Sequence, residues 1–66
     1  MDINEINSYL GLEIQAEIKL DDGSKTTVYG SFRKSKNAGH YAIEMSNGAT
    51  ITVYKDNILN LFLLKS

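Results

Sequence analysis

Arg33, Lys34, Lys36 and His40 lie close together in the middle of this 66-residue chain, and a tyrosine and a lysine, Tyr54 and Lys55, follow near its end. These residue types suit recognition rather than reaction. Lys and Arg contact phosphate oxygens, and His and Tyr rings stack on bases. The plain alternative is a set of solvated loop charges of the kind any small domain carries. Tyr29 and Tyr54 have the strand parity to face outward, where they can stack on a ligand or pair with cross-strand neighbours. Tyr41 has the parity of the core.

Catalysis finds little to use. The chain has one His and no Cys, and its serines fall in turns and loops except Ser31. No nucleophile, base and orienter are grouped by spacing. The Asp21-Asp22 pair sits in a turn sequence, the ordinary place for it. A zinc site would rest on one His and carboxylates, a poor ligand set. The expectation is therefore a protein that is not an enzyme and holds no metal or cofactor.

Eight acidic and seven basic residues leave a net charge of −1, which argues against holding nucleic acid by bulk electrostatics alone. The charges are unevenly placed, however. Residues 1–23 hold Asp2, Glu5, Glu13, Glu17, Asp21 and Asp22 against Lys19, whereas residues 24–40 hold four cations and no acid. No apolar run approaches the roughly 20 residues of a membrane helix, and MDINEINSYL lacks the basic start and apolar stretch of a secretion signal. With no Cys, the expected location is cytoplasmic and no membrane partner is expected.

One domain, residues 1–66, must position these side chains. Asp2 with Glu5 three residues on forms a capping-box pattern, Ile3, Ile6 and Leu10 share a face, and Gly11 supplies a C-terminal stop, so a short helix is predicted over 2–10. Alternation then places Leu12, Ile14, Ala16, Ile18 and Leu20 on one face of a first strand. Asp21-Asp22-Gly23-Ser24 makes a hairpin turn. A second strand, about Lys25 to Lys34, points Thr26, Val28, Gly30 and Phe32 inward, and Gly30 marks a sharp bend. After the polar loop KSKNAG, Tyr41, Ile43 and Met45 mark a third strand. Asn47-Gly48 is a two-residue hairpin signal, and Ala49, Ile51 and Val53 line the core side of a fourth. A fifth strand ends at residue 65, with Ile58, Leu61 and Leu63 inward and Phe62 and Leu64 opposite. This order describes an all-β chain with a short N-terminal helix, folded as a small, strongly bent five-stranded antiparallel barrel.

The stretch YLGLEIQAEIKLDDGSKTTVYGSF, with its leading helix, alternating strand, Asp-Gly turn and Gly two residues before a Phe, resembles the first motif of the Sm-like (LSm/Hfq-type) proteins. YKDNILNL resembles their second motif, and its Tyr-Lys opening is closest to the Hfq type. The resemblance spans most of residues 6–64 and rests on the order and spacing of the motifs. The segments IKLDDGSK, SKNAGHYAIEM and VYKDNI also resemble the Rof family of small regulators, which share that fold and act by binding the terminator protein Rho. A barrel of the SH3-like class satisfies much of the same strand pattern.

Membership of the Sm-like family implies a homo-oligomeric ring in which the fifth strand pairs with the fourth strand of a neighbour, giving Leu59, Phe62 and Leu64 an interface role. It also implies RNA contact through the loops bearing Arg33, Lys34, Lys36, His40, Tyr54 and Lys55. Lys36 and His40 stand where the family commonly has Asp and Asn, and Tyr54-Lys55 replaces an Arg-Gly pair. The Rof resemblance implies a different role: a regulator or inhibitor docking on a protein through an acidic face, Glu13, Glu17, Asp21 and Asp22, that imitates phosphates. A third reading is an oligomer that sequesters a nucleotide-like anion near His40 and Lys55.

Overall fold

A computed structural model describes residues 1–64; the last residue expected in the fifth strand, residue 65, lies outside them. The elements follow the predicted order: α1 (Ile3–Asn7), β1 (Glu13–Lys19), β2 (Lys25–Lys34), β3 (His40–Glu44), β4 (Thr50–Tyr54), a 3-10 turn (Lys55–Asn57) and β5 (Ile58–Leu63). The five strands form one antiparallel sheet in the order β4-β3-β2-β1-β5, strongly bent into a barrel-like fold. Among the described residues, β4 and β5 are its two edges.

Helix α1 is shorter than the predicted 2–10. The Asp2 carboxylate accepts from the Asn4 N–H at 3.5 Å, Ile6 is buried against the sheet, and Asn7 Oδ1 accepts from the Tyr41 hydroxyl at 2.6 Å. Gly11, expected to stop the helix, has φ 84° and donates instead to the Phe32 carbonyl at 2.8 Å, while the Phe32 N–H donates to the Leu12 carbonyl at 2.9 Å. One turn of helix is marginal by itself. Here the chain after Asn7 runs on in turns, Tyr9 donating to the Ile6 carbonyl at 3.1 Å and Leu10 to that of Asn7 at 3.2 Å, before Gly11 and Leu12 reach the sheet through Phe32.

Gly30 sits at the point where β2 changes partner. The strand pairs with β1 from Lys25 to Ser31 and with β3 from Ser31 to Lys34. A β-carbon on Gly30 would overlap the Glu44 carbonyl oxygen and come within 2.8 Å of its carbon. The predicted bend thus has a steric basis: only a residue without a side chain lets β3 cross so close.

Both tight hairpins have three-residue loops rather than the two-residue turn predicted for Asn47-Gly48. Leu20 donates to Ser24 O at 2.7 Å and Met45 to Ala49 O at 2.8 Å, enclosing 21–23 and 46–48. Gly23 and Gly48 take the left-handed position in each, both at φ 87°.

The core gathers Ile14, Ala16 and Ile18 from β1 with Phe32, Tyr41 and Ile43, and Phe32 stacks on Tyr41 at 5.1 Å between ring centroids. Four residues predicted for the core lie elsewhere. Leu12 and Leu20 flank β1 and are each 42% exposed, because the alternating pattern runs past the stretch that the sheet covers. Ala49 is exposed where the third hairpin loop closes. Leu63 is 57% exposed although it pairs with buried Ile14, since among the described residues β5 is an edge with no strand beyond it. Met45 is half-buried.

Strand β5 also departs from strict alternation. Ile18 pairs with Ile58 but Glu17 with Asn60, so Leu59 is the extra residue of a β-bulge. That insertion is what lets Ile58 and Leu61, three positions apart, both face the core. Beyond it Phe62 points outward opposite Gln15, and Leu59 and Leu64 are half-buried.

Candidate binding site

The loop between β2 and β3 meets the start of the 3-10 turn through backbone chemistry. Gly39, at φ 76°, presents its carbonyl to the Lys55 N–H at 2.8 Å. The Tyr54 ring packs over Gly39, where a β-carbon would come within 2.9 Å of Cε1. His40 and Tyr54 are cross-strand partners, with ring centroids 5.1 Å apart and planes inclined by 57°. The His40 Nδ1 lies 3.0 Å from the Ala38 carbonyl. A carbonyl only accepts, so Nδ1 carries the proton, and in the neutral ring Nε2 is the acceptor. The result is a fixed pair of rings beside a lysine whose backbone is tied to the same loop.

A groove of about 370 Å³ opens beside this pair, between the end of β1 and edge strand β4. Ile18, Ile51 and Val53 form its apolar floor, and Lys19, His40 and Tyr54 stand at its rim. The bend of the sheet creates it, since β1 and β4 are separated by two strands in the sheet order.

Of the six residues singled out in the sequence, His40, Tyr54 and Lys55 are brought together. Arg33 is drawn to Glu44 at 3.6 Å, an exposed pair of little energetic weight. Lys34 ends β2 opposite Tyr41, and it and Lys36 are exposed. The acidic residues divide into two groups. Glu13 and Glu17 stand on the outer face of β1, where Ser31 Oγ donates to Glu13 Oε1 at 3.5 Å and Asn60 Nδ2 to Glu17 Oε1 at 2.8 Å. Asp21 borders the groove. Asp22 serves its own turn, accepting from the Ser24 hydroxyl at 2.6 Å and the Ser24 N–H at 2.9 Å. Those bonds hold its carboxyl below the usual carboxylate range.

Gly39 and Lys19 were not foreseen as parts of this region. Gly39 had a signal, a loop glycine next to the candidate His. Lys19 had none, because its approach to β4 depends on how far the sheet curls.

Among the described residues no three His, Cys, Asp or Glu side chains gather as a metal site, and no helix is long and apolar enough to cross a membrane. Comparison of the chain with protein families, with curated proteins and with solved structures gives no match.

Proposed function

We propose that this chain is a non-catalytic binding module of the Sm-like type, which associates with copies of itself and engages single-stranded RNA through its loops in the cytoplasm. The observation that carries the reading is the His40–Tyr54 ring pair at 5.1 Å beside Lys55, whose N–H is anchored on Gly39. Stacking on a held ring is tolerant of base identity and contributes about 1–3 kcal/mol per base. Lys55, with Lys36, Lys34 and Arg33 on the neighbouring loop and strand, supplies cations for the phosphates.

Self-association has separate support. Among the described residues the sheet offers two unpaired edges, β4 and β5, and exposed edges invite strand addition. A neighbour's β5 laid along β4 satisfies both rows of backbone groups. Leu63, exposed in one copy, then reaches the apolar floor of the other's groove, with Leu59 and Leu64 along the boundary and Phe62 left on the outer face beside it.

Fluorescence anisotropy with a short single-stranded RNA at two salt concentrations tests the RNA reading. Binding that weakens with salt is expected, and Tyr54→Ala and Lys55→Ala should each reduce it by roughly tenfold. Absence of salt-sensitive binding, or binding indifferent to both substitutions, overturns it.

A further inference from the structure

The register of β2, β1 and β5 aligns Tyr29, Gln15 and Phe62 in one row across the outer face of the sheet. Tyr29 is 53% exposed and Phe62 47%. Adjacent strands lie about 4.8 Å apart, so the two aromatic backbones stand roughly 10 Å apart with only a glutamine between them. The neighbouring rows bring acids: Glu13 pairs with Ser31 on one side, and Glu17 with Thr27 and Asn60 on the other. Two exposed aromatic rings and two carboxylates on the outer face of the sheet repel phosphate and favour a planar cation.

We propose that this outer face is a docking surface for a protein segment bearing arginine, whose guanidinium lies over Gln15 against the Tyr29 and Phe62 rings and is bonded by Glu17 or Glu13. Arginine fits better than lysine because its plane stacks on aromatic faces while its N–H fork reaches a carboxylate. Asn60 already orients the Glu17 carboxylate through Oε1, and the other oxygen remains to accept from the incoming group. This surface is distinct from the ring pair at His40 and Tyr54, and it does not depend on the RNA reading.

The test uses a fluorescent decapeptide of alternating Arg and Ser, a Lys-Ser decapeptide as control, and amide chemical-shift mapping. The Arg peptide should bind more tightly than the Lys peptide, shifting Gln15, Glu17, Tyr29 and Phe62. Tyr29→Ala and Glu17→Lys should each weaken it by roughly tenfold. Both positions face solvent at the surface, and circular dichroism checks that each variant is folded; if one is not, the other decides. Equal affinity for the two peptides, shifts confined to other residues, no binding, or indifference to the substitution in a folded variant overturns the proposal. RNA anisotropy on the same variants separates the two surfaces: failure of peptide binding with RNA binding intact overturns only this inference.

Discussion

Gly30 on β2 lies directly against the backbone carbonyl of Glu44 at the end of β3, with no room for a β-carbon between them. The obstacle is backbone rather than a movable side chain, so it cannot be relieved by a rotamer change. Gly30→Ala should therefore destabilise the fold by about 1–3 kcal/mol, as overpacking does. Urea unfolding followed by circular dichroism measures it, and an unchanged midpoint would show that β3 is free to move away.

The Tyr41 hydroxyl ties α1 to the sheet through Asn7 at 2.6 Å. Tyr41→Phe keeps the ring stacked on Phe32 and removes only this bond, for an expected loss of about 1 kcal/mol. Ile6→Ala, which vacates a fully buried position on the same helix, should cost about 2–5 kcal/mol. Amide exchange over residues 3–7 should accelerate in both.

Asp22 gives a pH prediction with a definite sign. Its carboxyl is held low by the Ser24 hydroxyl and N–H, so the charged form is favoured in the folded state. A depressed folded value means that the contribution is present above the unfolded carboxylate value and is lost as pH falls through the lower, folded one. Carboxyl NMR titration should place Asp22 below the ordinary range, and Ser24→Ala should move it back up. The group is fully exposed, so the global effect on stability is small.

Leu63 tests assembly with little risk to the core, since it is 57% exposed. If β5 of one copy adds to β4 of the next, Leu63→Asp together with Leu64→Lys should yield a smaller species by sedimentation that keeps its β-type circular dichroism. A Leu side chain moving from water to an apolar floor contributes roughly 1.5–3 kcal/mol. Retention of the parent's size would remove edge pairing as the mode of association.

Much of this fold was legible because the alternation of β1 and β2 and the glycines of the turns act locally. Gly23 and Gly48 mark hairpins by their own backbone freedom, and Gly30 marks a bend. What pattern alone missed depends on residues distant in sequence. Leu12 and Leu20 continue the apolar alternation past the ends of β1, but no neighbouring strand covers them. The bulge at Leu59 is set by how β5 matches Glu17 and Ile18, more than forty positions earlier, and the run LNLFLL carries no mark of it. At the candidate site, His40 and Tyr54 were legible by residue type. Their pairing required the β3–β4 register, and the groove beside them required the curl of the whole sheet.

Strand β1 lies between β2 and β5, so one side of it is completed by its immediate neighbour in sequence and the other by the fifth strand of the sheet, far along the chain. During synthesis, the hairpins β1–β2, β2–β3 and β3–β4 can form in turn as the chain emerges, each through short-range contacts. Ile14, Ala16 and Ile18 then wait with one flank open until residues 58–63 have left the ribosome. Closure of that long loop has the highest contact order of the four pairings, so it should be the slow step that completes the sheet after the three hairpins.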